Sequence, residues 1–257
     1  MTRPFYFGTN FKMRQTHPES RAFVEALGRH AVVEDVCRFV IPPFTSLPGL
    51  PAVGQAGRIA IGAQNAHFAQ QGAYTGEISV PMLAALDVEL VMIGHAERRH
   101  DFGETDEIIA RKAAAVLGSG MTLLLCVGED LAERRAGLTE TVLRRQLGSG
   151  LAAAGAAVNL RLWVAYEPVW SIGEAGLPAT ADDVAPAIAC IRECLGELLG
   201  DRACAVPLLY GGSVNRDNCA IYAALAGIDG LFVGRGAWTV EGYCEVMARG
   251  LAARRAR

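Results

Sequence analysis

The chain has 257 residues, of which 51 % are apolar and 20 % charged. That supplies ample core and excludes a disordered or fibrous chain. The net charge of -3 argues against a non-specific nucleic-acid binder, which carries a basic face.

Short apolar runs alternate with longer helical stretches. Strands are expected at 5–9, 36–41, 58–63 and 90–93. These runs are rich in Val, Ile, Leu and aromatic residues and do not alternate with polar ones, as in strands buried on both faces. A helix should follow Thr105, a capping residue ahead of the first-turn acids Asp106 and Glu107. A fifth strand is expected at 122–127, then a helix from Glu140 to Ala154, and a sixth strand at 162–166. Thr180 and Asp183 have capping-box spacing ahead of Val184, Ile188 and Ile191. A seventh strand at 208–210, a shorter helix from Asn215 to Leu225 and an eighth strand at 230–233 complete the series.

Eight such units give about 32 residues each, the size of a βαβ repeat. Alternation implies a parallel sheet. Closing eight units gives an α/β fold, a single (β/α)8 TIM barrel of one domain over 1–257. The competing doubly wound sheet needs a glycine-rich turn after its first strand. Here that turn reads Gly8-Thr9-Asn10-Phe11-Lys12, without GxGxxG.

Other features bound the setting. Runs such as Leu123-Leu124-Leu125-Cys126-Val127 fall far short of the roughly 18 residues of a spanning helix. The N-terminus has no apolar signal core. The seven cysteines form no CxxC pair, so reduced thiols in a cytoplasm are expected; no ligand spacing suggests a metal, and no cofactor is expected. Of 24 basic residues only Lys12 and Lys112 are lysine. A lone lysine marks a place where a compact ammonium suits better than a planar guanidinium. That reading is kept for Lys12. Lys112, in a helical stretch, is taken as a chance survivor.

In a barrel the chemistry lies past the C-terminal strand ends. Those positions hold Asn10 and Lys12, then Gly94, His95 and Glu97, then Glu167-Pro168. Gly211-Gly212-Ser213 and Gly234-Arg235-Gly236 follow strands seven and eight. A glutamate can serve as base, and a histidine and a lysine as electrophiles. Glycine turns let backbone N–H groups approach a phosphate. Each residue alone has a plain structural reading: a packed histidine, a strand-end glutamate, an ordinary turn. Their coincidence at five strand ends points to an enzyme.

The segments Asn10-Phe11-Lys12-Met13, Ile93-Gly94-His95-Ala96-Glu97-Arg98-Arg99 and Tyr166-Glu167-Pro168-Val169-Trp170-Ser171-Ile172-Gly173 resemble motifs of the triosephosphate isomerase family. So do Tyr210-Gly211-Gly212-Ser213-Val214, Gly62-Ala63-Gln64-Asn65 and Tyr74-Thr75-Gly76-Glu77-Ile78-Ser79. The resemblance covers essentially the whole chain. It implies that Glu167 is the catalytic base, that His95 and Lys12 stabilise an enediolate, and that Asn10 helps to place them. Glu97 would hold Lys12 or shuttle protons. Gly173, Ser213, Gly234 and the N–H of Arg235 would bind the phosphate of a small phosphorylated ketose or aldose. The segment 168–178 would be a closing lid. The family resemblance also implies a homodimer through the loop from Gln64 to Ile78, with Thr75 near the partner's site.

Four positions depart from the common pattern: Thr9, Ala96, a longer lid tip at 173–180, and Gly234-Arg235-Gly236-Ala237-Trp238. The lid and the Gly-Arg-x-x-Trp turn resemble those of the erythrulose-phosphate isomerase branch of erythritol breakdown. The alternative implied by the family is the triose reaction of glycolysis. A Schiff-base aldolase would need a lysine where strand six ends in Glu167. A non-catalytic phosphate-binding barrel would not need all of these polar groups.

Overall fold

The computed structural model describes residues 3–154, 159–173, 176–177 and 179–257. Eight parallel strands close into one barrel in sequence order. They are β1 (Phe5–Asn10), β2 (Val36–Ile41), β3 (Ile59–Ala63), β4 (Leu90–Ile93), β5 (Thr122–Val127), β6 (Leu162–Tyr166), β7 (Leu208–Tyr210) and β8 (Gly230–Val233). The ring closes where β1 pairs with β8, Thr9 opposite Val233.

Helices cover the outside. They are α1 (His17–Gly28), α2 (Leu50–Ala56), α3 (Val80–Ala84), α4 (Ala96–His100) and α5 (Asp106–Ser119). Then come α6 (Leu131–Arg135), α7 (Thr139–Gly150), α8 (Ala181–Leu199), α9 (Cys219–Ala223) and α10 (Val240–Arg255). The (β/α)8 barrel expected from the alternation is thus the fold.

Two apolar layers hold it. Inside the ring, Phe39, Leu90, Met92, Leu124, Leu209 and Phe232 fill the barrel. Between ring and helices lies the larger cluster, with Phe7, Val40, Leu125, Val164 and Leu231 packed on helix faces such as Ile109, Val116, Leu147 and Ile191. Burial on both faces explains why the strands read as unbroken apolar runs.

Some boundaries differ from the expectation. β3 starts at Ile59, because Arg58 is a turn residue with φ 52°. α7 ends at Gly150, short of Ala154, where Gly148-Ser149-Gly150 gives weak helical support. The stretch from Asn215 to Leu225 contributes only the five residues of α9. There Asn215 Oδ1 accepts from the backbone N–H groups of Asp217 and Asn218, at 2.8 and 3.2 Å. That local turn competes with a helix start.

Lys112 also departs from its expectation. It is 4 % exposed on the inner face of α5. Its ammonium contacts Glu104 Oε1 at 2.5 Å and Asn65 Oδ1 at 3.1 Å. It is a buried cation with chosen partners, because the compact ammonium fits between them.

Candidate active site

The C-terminal rim of the barrel gathers the expected residues. Asn10 ends β1 and is buried. Its Oδ1 accepts the Lys12 N–H at 2.8 Å and the Gln64 amide at 3.1 Å. Gln64 donates also to the Lys12 carbonyl, at 2.8 Å. These bonds hold Lys12 at φ 53°, a left-handed backbone that a side-chain-bearing residue adopts only under restraint. The Lys12 ammonium then meets Glu97 Oε1 at 2.6 Å.

His95 caps α4. Its Nδ1 accepts the Glu97 N–H at 3.2 Å. A nitrogen that accepts carries no proton, so this bond assigns the ring proton to Nε2. Nε2 faces Glu167 Oε1 across 3.7 Å.

Glu167 follows β6 and is 2 % exposed. Its N–H donates to the Val127 carbonyl at 2.8 Å. Pro168 restricts its backbone to extended conformations, which sets its aim. Oε2 accepts the Ala96 N–H at 3.3 Å. Two glycines make room for it. A Cβ on Gly128 would lie 1.9 Å from the Glu167 carbonyl oxygen, and one on Gly211 would lie 3.0 Å from its Cγ. Beside it, burial and then the Glu167 carboxylate push the Cys126 thiol far above its ordinary value. That thiol stays protonated and adds no charge next to the carboxylate.

One cavity of about 590 Å3 joins these groups to the glycine turns. Asn10, Lys12, His95 and Glu167 line one part. Gly173, Ser213, Gly234 and Arg235 line another. Glu97 is not in the wall and reaches the site through Lys12. Among the described lining residues, Lys12, Arg14 and Arg235 bring three cations to the wall against the carboxylate of Glu167. The balance favours an anionic ligand. Among the described residues, no group of three or more His, Cys, Asp or Glu side chains could hold a metal.

The segment expected to form a lid starts from a firm base. The Trp170 indole N–H donates to Glu129 Oε1 at 2.8 Å, and the Tyr166 hydroxyl lies 3.1 Å from Glu129 Oε2. Burial pushes the Glu129 carboxyl above the usual range, against the pull of those donors. Of the longer tip noted in the sequence, Glu174, Ala175 and Pro178 lie outside the described residues.

Three contributors were not singled out for this role from sequence. Gln64 was read only as the start of a partner-facing loop, yet it holds Lys12 of its own chain. Arg14 lines the cavity, and its guanidinium lies 4.7 Å above the Trp238 ring. Cys126 carries no motif, although the inward alternation of β5 could have flagged it.

A model of the triosephosphate isomerase family matches residues 5–249. Among similar curated proteins is the L-erythrulose-1-phosphate isomerase of Rhizobium etli, 45 % identical over 95 % of this chain and 91 % of the relative. The protein of the same name from Mesorhizobium japonicum is 44 % identical over 97 % of this chain and 98 % of its own. That from Brucella abortus is 43 % identical over 95 % and 96 %. With this extent of agreement from β1 to α10, the chain belongs to the triosephosphate isomerase family.

Proposed function

We propose that this protein isomerises L-erythrulose 1-phosphate through an enediolate. The observation that carries the chemistry is the Glu167 carboxylate, 3.7 Å from His95 Nε2, in one cavity with Lys12 and the glycine turns. The names of its relatives and the Arg235 and Trp238 departures support the four-carbon substrate.

The step follows from the bonds. In a tetrulose 1-phosphate the ketone is C2, and C3 carries a hydrogen and a hydroxyl. Glu167 takes the C3 proton, and the C3–H electrons form the C2–C3 double bond while charge moves to the C2 oxygen. Glu167 returns the proton to C2, and a hydroxyl proton passes between the two oxygens. The ketone now sits at C3, so the product is the 4-phosphate ketose. On a triose phosphate, which lacks the fourth carbon, the same transfer gives an aldose.

A carboxylate alone is too weak a base for this proton. The developing oxyanion must be met by fixed donors in a water-poor site. The His95 Nε2–H and the Lys12 ammonium are those donors, Asn10 places Lys12, and Glu97 anchors it. Gly173, Ser213, Gly234 and Arg235 seat the phosphate. Closure of 168–178 over the site excludes water and keeps the phosphate from leaving the enediolate.

The enzyme works as a homodimer. Met13, next to Lys12, is 97 % exposed. Residues 71–77 stand clear of the barrel, braced by Tyr74 on His67 at 4.2 Å and Arg111 over Phe68 at 3.4 Å. A protruding loop and a bare methionine beside the site suit coverage by a second copy. Seven free thiols suit a reducing cytoplasm.

Paired assays test the reading. kcat/KM is expected to be higher on erythrulose 1-phosphate than on dihydroxyacetone phosphate, and equality or reversal would favour the triose reaction. Glu167→Gln is expected to lose at least ~10²-fold in kcat, the scale of general-base catalysis. Retained activity in that variant would remove Glu167 from its role.

A further inference from the structure

Trp238 closes the short turn that follows β8, two residues before α10 begins. Its indole N–H donates to the Asn10 carbonyl at 2.9 Å, across 228 residues of sequence. Its own carbonyl lies 3.4 Å from Gln15 Nε2. The Arg14 guanidinium stacks over its ring. Three contacts from the arm 10–15 therefore converge on one residue, two of them on its side chain. That arm is under local strain, because Lys12 and Gln15 both have left-handed backbones, at φ 53° and 68°. Asn10 and Gln64 restrain it from the barrel side. Trp238 restrains it from the side of the phosphate turn.

We infer that Trp238 is a positioning residue, which ties the arm bearing Asn10 and Lys12 to the anion seat at Gly234-Arg235. The inference rests on the proposed isomerase reading, since it assigns Trp238 the task of fixing Lys12 at the developing oxyanion. The physical reason is the timing of the charge. Phosphate binding draws on the cavity's net positive field and tolerates small shifts of one cation. Stabilising a new oxyanion needs a donor held in place beforehand. A loosened arm thus costs more in the transition state than in the bound substrate.

Two substitutions separate the parts. Trp238→Phe keeps a ring beneath Arg14 and removes the N–H. Trp238→Leu removes both. Each is compared with wild type in kcat and KM on erythrulose 1-phosphate. Binding of inorganic phosphate and of phosphoglycolate, a planar carboxylate mimic of the enediolate, is measured by calorimetry, and Tm by scanning calorimetry.

With the tie lost, kcat of Trp238→Phe is expected to fall about three- to tenfold, the span of one hydrogen bond. KM and the phosphate Kd should stay within about twofold, while phosphoglycolate binds several-fold more weakly. Trp238→Leu should lose more of the same quantities. A residue that only fills space would lower Tm and leave kcat and the ratio of the two Kd values unchanged, and that result would overturn the inference. Should wild type turn over neither sugar phosphate, the isomerase reading itself has failed. The tie is then judged by calorimetry alone: a selective loss of phosphoglycolate affinity in Trp238→Phe sustains it, and equal affinities overturn it.

Discussion

Both lysines of the chain end on carboxylates, but in different settings. Lys12 lies in a partly open cavity, where its ammonium can trade Glu97 for a ligand. Lys112 is closed in, and its partner Glu104 has a second oxygen with no hydrogen-bond partner. Glu104 Oε1 also takes the Arg98 Nε–H at 2.7 Å, so two cations share one buried oxygen. Nothing in the local pattern around Lys112 announced this, because Asn65 lies 47 residues away and only the fold brings it near. Removing the ammonium leaves a buried carboxylate short of a partner. Lys112→Met is expected to lower unfolding free energy by about 3–5 kcal/mol. Lys112→Arg keeps the charge but overfills the space, for about 1–3 kcal/mol. Urea unfolding at neutral pH measures both. An arginine variant as stable as wild type would show that the site does not select a compact cation.

The elements were legible in proportion to how much of their cause is local. β2, β4, β5, β6, β7 and β8 have the bounds their apolar runs suggested, because both faces are buried and no polar alternation blurs the ends. α5 and α8 begin where their capping residues stand, since a cap is decided within one turn. α9 was overestimated because asparagine side chains captured the backbone first. At the site, strand-end position pointed to Asn10, Lys12, His95 and Glu167. Further restraints on Asn10 and Lys12 come from Gln64 and Trp238, which no spacing rule connects to β1. The start of α8 carries a further consequence. Asp183 Oδ2 accepts the Thr180 N–H at 2.8 Å, and Oδ1 accepts from Arg134 at 2.6 Å. Arg134 in turn lies over the Trp170 ring at 3.9 Å. One carboxylate thus links the far end of the expected lid to its near end. The Thr180 N–H, more than Arg134, holds the Asp183 carboxyl below its ordinary 3.8. A carboxyl lowered on folding stabilises the fold above its unfolded value, and that gain is lost as pH falls through the folded one. Asp183→Asn is therefore expected to be about 1 kcal/mol less stable at pH 7. The gap should close as wild type becomes protonated. Unfolding midpoints at pH 7 and near pH 3 check this, and a gap that persists in acid would assign the effect to shape instead of charge.

At the scale of the whole molecule, exposed large apolar groups occur among the described residues from Met13 to Ile221, and four of them fall in consecutive units. Met13, Tyr74, Met82 and Phe102 belong to the arm after β1, the long loop after β3, α3 and the segment after α4. All four lie between β1 and α5, in neighbouring units of the barrel, while the cavity itself is polar and glycine-rich. Stability of an isolated barrel does not call for a methionine that is almost fully in water. Covering that group would also stiffen the arm that carries Lys12, so a second copy seated there would couple assembly to catalysis through that arm. The expected particle therefore has twice the 27.3 kDa mass of the chain. Met13→Glu places a charge in the covered position, where burying it unpaired is costly. It should shift the population towards monomer and reduce kcat together, with kcat rising again at higher protein concentration. Sedimentation and activity across a dilution series follow both quantities in one experiment. A wild-type chain that sediments as a monomer at assay concentration with full kcat would show that one copy holds its strained arm unaided, through Gln64 and Trp238 alone.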